Sequence, residues 1–379
     1  MKTSSQEQNF PTQFPEGQTF KTPAYGASGG LIGGKSMKRI DVERQGPKAD
    51  EVVIEVLYCG VCHSDIHQVA NDWKNTIYPC VPGHEIIGKI VAAGSTVSAF
   101  KTGDTVGVGC MIDSCHTCAP CREGEEQFCE GPHGMTMTYN GYWKPDGTDF
   151  NTFGGYSTHI VVNKDFLLRI PENLDLAKVA PILCAGITTY SPLNHWKVQE
   201  GDKVAIVGIG GLGHMGVMLA KAMGAHVTAV TRKEEKKQAA LELGADAVLI
   251  SDDADAMNAH EAKFDYVLIT IPESFDVNDY VKLVKRRGSL VTVGLIGPYE
   301  KPTDNMEVAK LCRTVGGSLI GGIAETQEVL DFCAKHDILP QVEMIQMQDI
   351  EKAFDTIKDE EIRFRYVIDM ASLKQEEAG

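Results

Sequence analysis

Three residues of metal-binding type fall where one ion could collect them: Cys62, His84 and, about a hundred residues on, Cys184. They sit in the stretches Gly60-Val61-Cys62-His63-Ser64-Asp65, Val81-Pro82-Gly83-His84-Glu85 and Leu183-Cys184-Ala185-Gly186. Zinc takes Cys sulfur and His nitrogen, and a catalytic zinc keeps one of its four positions open. A lone Cys or His is more often packing than ligand, so the surrounding pattern has to decide. The β-branched run Glu51 to Tyr58 predicts a strand, with Cys62 on the loop that leaves it. Pro82-Gly83 closes a second loop that carries His84.

A second set, Cys115-x2-Cys118-x2-Cys121-x7-Cys129, lies in a loop bearing Gly and Pro. Four thiolates this close can make a closed tetrahedral structural zinc site. An iron–sulfur cluster is the rival, because sets of four cysteines hold those too. Disulfide pairing is the weaker reading: eleven cysteines without an export signal predict a reducing, cytoplasmic setting. Cys59, Cys80, Cys110, Cys312 and Cys333 have no partner at ligand spacing and are expected to be small buried hydrophobes.

The third chemical element is Gly208-Ile209-Gly210-Gly211-Leu212-Gly213. It follows the apolar run Lys203 to Val207 and precedes helix signals through Met223, with a stop at Gly224 and a next strand at His226 to Val230. In that context the glycines let a backbone approach a pyrophosphate at a helix N-terminus, the signature of a dinucleotide fold. The second strand ends in Thr231-Arg232-Lys233, with Lys236 and Lys237 beyond. An acidic residue there would hold the ribose hydroxyl of NAD, whereas Arg232 can fork onto a 2′-phosphate, so NADP is expected.

The elements that must position these groups divide the chain. Short strands and Gly-rich turns at Ile86 to Val91, Gly103 to Val108 and Ser157 to Val162 predict a barrel-like β domain. Further strands at Ala247 to Ile250, Asp265 to Ile269, Ser289 to Val293 and Ser318 to Ile320 complete a six-stranded doubly wound sheet. Helices are expected from Glu325 to His336 and Asp349 to Lys358, and Tyr366 to Asp369 as a strand returning to the first domain. With 379 residues, two domains are expected. The net charge of -16 argues against a nucleic-acid partner, and no apolar run is long enough for a membrane span. Residues 1–18, rich in Ser, Gln, Pro and Gly, read as a mobile tail.

Together these motifs resemble the zinc-dependent medium-chain alcohol dehydrogenases, specifically the cinnamyl-alcohol-dehydrogenase-like aldehyde reductases. The resemblance covers the chain from about residue 20. It implies an α/β architecture: a GroES-like β-barrel catalytic domain from 19–185 and 322–379, and an inserted Rossmann doubly wound parallel sheet at 186–321, binding NADP. It implies two zinc ions per chain, with Cys62, His84 and Cys184 as catalytic ligands and Glu85 as an alternate ligand. Asp65 orients the metal-bound imidazole, and Ser64 and His67 form a proton relay. The cofactor would meet Ser64, Thr188, the Gly208–Gly213 loop, Thr231, Arg232, Lys236, Thr270, Gly294 and Ser318. Trp73, Met135 to Met137 and Leu295-Ile296 would line an apolar substrate pocket. Residues 131–152, with Tyr139, Tyr142 and Trp143, read as a surface excursion of underived role. Relatives pair sixth Rossmann strands into homodimers, here around Gly317 to Gly321.

The implied activity is interconversion of primary alcohols and aldehydes with NADP(H), over a broad range of aromatic and aliphatic substrates. A polyol dehydrogenase would share the fold but need a polar pocket. A non-catalytic binding protein on the same scaffold would not need the complete ligand and relay set.

Overall fold

The computed structural model describes residues 13–29, 37–148, 150–294, 297–358 and 364–374. Its strands run, in chain order, β1 Thr19–Ala27, β2 Met37–Gln45, β3 Glu51–Val61, β4 Ile86–Ala93, β5 Thr105–Val108, β6 Met111–Asp113, β7 Thr136–Met137, β8 His159–Asn163 and β9 Leu168–Arg169. The second group is β10 Lys203–Val207, β11 His226–Thr231, β12 Ala247–Ile250, β13 Phe264–Ile269, β14 Val284–Thr292 and β15 Thr314–Gly317, followed by β16 Val342–Gln346 and β17 Arg365–Asp369.

β3 is the spine of the first sheet, whose order is β16-β17-β3-β4-β5-β9, with β8 also on β3. Its β-branched residues suit a strand covered on both sides. Val52, Val53 and Ile54 are fully buried, and Ile54 faces Ile90 across β4 and Ile160 across β8. The last strand, β17, pairs antiparallel with the end of β3, Tyr366 opposite Val61. The chain's final described segment is thus laid beside the residue before Cys62.

The second sheet is all parallel, in the order β12-β11-β10-β13-β14-β15. Chain order reverses between β10 and β13, the crevice where such sheets bind nucleotides. The helix Gly213–Ala222 starts there, and a Cβ at Gly213 would meet the Gly208 carbonyl oxygen at 1.8 Å. Only glycine allows the helix to begin so close to the strand.

Two expectations shift. The sixth strand is Thr314–Gly317, which ends directly before the apolar run Ser318 to Ile320. Gly316 makes room for the Trp196 ring, which a Cβ would meet at 3.2 Å, while Ile320 takes a left-handed φ of 40° and leaves the sheet. The expected tail is anchored before residue 18: the Phe14 ring packs edge-on against Phe20 at 4.9 Å. Residues 1–12 of that tail lie outside the described residues.

Candidate active site

Cys62 follows β3 directly and caps the helix His63–Ala70. Asp65, wholly buried on the first turn of that helix, ties the site's two loops together. It accepts hydrogen bonds from the Cys62 amide (2.9 Å), the Gly83 amide (3.1 Å) and the Tyr156 hydroxyl (3.3 Å). It also faces His84 Nδ1 at 3.1 Å. A carboxylate can only accept, so Nδ1 carries the proton and Nε2 is left as the donor atom. That nitrogen lies 3.2 Å from Cys184 Sγ.

Cys62, His84, Glu85 and Cys184 each offer an atom, all within 4.8 Å of one another and all buried. Two sulfurs this close cannot both ionise unaided. Hydrogen bonding from Cys184 pulls the Cys62 thiol well below its ordinary range, whereas bonds to Cys110 and Cys62 push Cys184 well above it. A divalent cation among them removes the conflict, and the donor set is one that suits zinc.

Glu85 is fully buried, its Oε1 paired with Arg365 and its Oε2 without a hydrogen-bond partner. Gly60 makes that possible, since a Cβ there would meet Glu85 Oε2 at 1.9 Å. Burial pushes the Glu85 carboxyl up to about 7, against the lowering effect of Arg365. Arg365 had no signal in the sequence: it reaches the site from β17, and its Cδ lies against Gly211 of the Gly-rich loop.

The four-cysteine loop closes on itself. Cys118 and Cys121 sulfurs are 3.3 Å apart and Cys115 and Cys121 3.9 Å, all four within 4.8 Å. Tetrahedral zinc–thiolate bonds put sulfurs about 3.8 Å apart, while a four-iron cluster spreads its ligands around a cube. The cage therefore fits a single ion, and the cluster reading falls. Backbone amides of Cys118 and Glu130 donate to Cys115 and Cys118 sulfurs at 3.4 Å each, stabilising thiolates.

A cavity of about 440 Å³ opens from Cys62, His84 and Cys184. A second, of about 340 Å³, follows the Gly-rich loop, and the two share Cys62, His63, Leu212, Thr270 and Pro272. Gly208, Gly210, Gly211, Thr231, Arg232 and Lys236 line the second; Gly213 starts the helix behind it. The Thr270 hydroxyl donates to the Gly208 carbonyl at 2.7 Å and so holds the loop. Arg232 Nη2 meets Glu273 Oε1 at 3.2 Å across the groove. Thr188 and Gly294 line the first cavity, and the Thr188 hydroxyl is buried without a partner. Ser318 lines neither; its amide extends the sheet to Thr292.

Ser64, His67 and Trp73 line the first cavity with Met135 and Met137. Ser64 Oγ is 3.7 Å from Cys62 Sγ, and His67 Nδ1 is 2.8 Å from Asp72 at the surface. Leu295 and Ile296 lie outside the described residues. Leu319 and Ile320, expected in a strand, are pocket residues instead. Cys110, expected to be a small buried hydrophobe, is only partly buried and lines the cavity, and Cys312 is exposed. Tyr139 is not superficial: it is buried with its ring 5.5 Å from that of His84. Among the described lining residues none is Asp, Glu, Lys or Arg.

Comparison with known proteins places this geometry. A family profile described as "Alcohol dehydrogenase GroES-like domain" matches residues 48–172, and one described as "Zinc-binding dehydrogenase" matches 211–335. An aldehyde reductase of Escherichia coli, YahK, is 47% identical over 348 residues, covering 92% of this chain and 98% of that protein. The cinnamyl alcohol dehydrogenase SbCAD4 of Sorghum bicolor superposes with a TM-score of 0.89 at 37% identity, covering 95% of this chain and 100% of that one. The cinnamyl alcohol dehydrogenase structure of Helicobacter pylori complexed with NADP(H) does so at 0.84 and 40% identity, covering 93% and 99%.

Proposed function

The chain belongs to the zinc-dependent medium-chain alcohol dehydrogenases, and from that premise we infer the roles of its site residues. It is an NADP(H)-dependent oxidoreductase that interconverts alcohols and aldehydes. The observation that carries the reading is the Cys62–His84–Cys184 cluster opening into an apolar cavity that joins a dinucleotide groove.

Cys62, His84 and Cys184 hold the catalytic zinc, with Glu85 as an alternate ligand; Cys115, Cys118, Cys121 and Cys129 hold the structural one. When bound, the zinc supplies Lewis acidity toward the carbonyl oxygen and NADPH the hydride. Asp65 fixes the imidazole tautomer. Ser64 exchanges a proton with the substrate oxygen, and His67, three residues along the same helix, passes it to water beside Asp72. Thr231, Arg232 and Lys236 receive the 2′-phosphate, the Gly208–Gly213 loop the pyrophosphate, and Thr188 and Gly294 the nicotinamide end.

The membership of β16 and β17 in the first sheet supports a catalytic domain of 19–185 plus 322–379, with 186–321 as the NADP-binding domain. The outer edge of β15 is a place for homodimer pairing. No described helix is long and apolar enough to cross a membrane. A reducing compartment such as the cytoplasm would keep the six ligand cysteines available to metal. The net charge of -16 disfavours nucleic acid.

The lining, mostly apolar in area and without Asp, Glu, Lys or Arg among its described residues, favours broad-range aldehyde reduction over polyol oxidation. The test is NADPH oxidation with benzaldehyde set against NAD+ reduction with sorbitol. Turnover of sorbitol alone would reverse the substrate class, and turnover of neither would favour a binding protein.

A further inference from the structure

The described residues between Gly131 and Thr152 are a built wall. Asn140 and Gly141 turn the chain with φ of 69° and 75°, a conformation that Asn and Gly tolerate best. The Asn140 side chain accepts from the Ile77 amide at 2.8 Å and donates to the Asn75 carbonyl at 3.2 Å. Asn151 donates to the Pro79 carbonyl at 2.9 Å. Thr152 Oγ1 accepts from the Gly141 amide and donates to the Met137 carbonyl, each at 2.8 Å. The turn is thus fastened to the loop that follows Trp73 and to the strand bearing Met137.

On this frame two aromatic side chains reach the cavity mouth. Tyr142 is stacked between His133 and Phe150, with ring centroids 4.2 and 4.3 Å away at 17° and 23°. Two near-parallel neighbours at that distance cover opposite faces of its ring, so Tyr142 is a fixed post. Trp143 lines the cavity yet is 42% exposed, so its ring spans from pocket to solvent. A rigid aromatic rim presents large contact area at little ordering cost. With no Asp, Glu, Lys or Arg among the described lining residues, the cavity offers no permanent counter-charge to an ionic tail.

We propose that Trp143 and Tyr142, with Trp73, form an outer subsite for a second, distal ring or equivalent apolar group of an uncharged aldehyde. Selectivity for long over short substrates is then exercised at the mouth, away from the carbonyl. This rests on the aldehyde-reduction reading and names which aldehydes that site prefers.

The test compares biphenyl-4-carbaldehyde with propanal in wild type, Trp143→Ala and Tyr142→Ala, each checked for folding by its melting temperature. Trp143→Ala is expected to lower kcat/KM for the biphenyl aldehyde about tenfold more than for propanal, mainly through KM. Tyr142→Phe, which keeps the ring stack, should retain the discrimination if Tyr142→Ala loses its fold. Equal falls for both aldehydes, or no loss for the longer one, would overturn the subsite. Calorimetric titration with biphenyl-4-methanol separates this from the reaction itself. Tight binding weakened by Trp143→Ala, without turnover of any aldehyde, would sink the reaction reading and leave the subsite standing.

Discussion

Arg365, on the last strand, closes a buried ion pair with Glu85, the neighbour of His84, across 280 positions of chain. Removing one partner of such a pair strands the other's charge, at a cost of about 3–5 kcal/mol. Arg365→Met should therefore lower the free energy of urea unfolding by that order. Adding Glu85→Gln should recover much of the loss. Strictly additive losses in the double-mutant cycle would show that the two residues act independently.

The two cysteine clusters should respond differently to truncation. Elemental analysis is expected to give two zinc ions per chain. Cys184→Ala should reduce turnover to background with a melting temperature near wild type, because Asp65 holds the Cys62 and His84 loops without it. Cys118→Ala should chiefly lower the melting temperature, since a structural zinc contributes folding energy. Lost activity at full stability in Cys118→Ala would reverse the two assignments.

Arg232 decides between cofactors. Charge-assisted hydrogen bonds to a phosphate are worth roughly 1.5–3 kcal/mol, so Arg232→Ala should weaken NADPH binding about 10- to 150-fold. NADH lacks the phosphate and should bind almost unchanged. Fluorescence titration of both cofactors is the measurement. Equal weakening of the two, or a wild-type preference for NADH, would reduce Arg232 to the surface partner of Glu273.

Acid should destabilise the fold through His159. Burial beside Phe14 and Phe20 lowers its pKa to about 4, against about 6.5 in an unfolded chain. As pH falls the unfolded chain binds the proton first. Stability is thus full well above pH 6.5 and is drawn down toward pH 4, by about 1.6 kcal/mol between 6.5 and 5. His159→Phe should shrink the difference in melting temperature between pH 7.5 and pH 5. An unchanged difference would clear His159 of the effect.

What was legible in the sequence was local. The Gly208–Gly213 loop is spelled by its own spacing, and each zinc ligand sits in a short stretch whose turn residues announce it. Arg365 was not legible, because its meaning depends on β17 pairing with a strand about 300 residues earlier. The sixth strand was misplaced for a related reason. Leu319 and Ile320 look like sheet core, but their apolarity serves the pocket, whereas Gly316 in Thr314–Gly317 accommodates Trp196. The Asn140-Gly141 pair, a turn signal in its own right, was the available clue that 131–152 had a defined shape.

The pairing of β17 with β3 also sets a timetable for biosynthesis. The first half of β3, Glu51 to Glu55, is covered by β8 as soon as His159–Asn163 has been made. The stretch from Tyr58 to Val61, next to Cys62, has no neighbour on that side until Tyr366–Asp369 leaves the ribosome. At about 5–20 residues per second, roughly 15–60 seconds separate the synthesis of Val61 from that of Tyr366. Through that interval the nascent chain carries an open strand edge beside a reactive thiol, and the carboxylate of Glu85 waits for its guanidinium. Chaperone occupancy in the cell is expected to concentrate on this edge, and chains halted before residue 365 to be the species that aggregate.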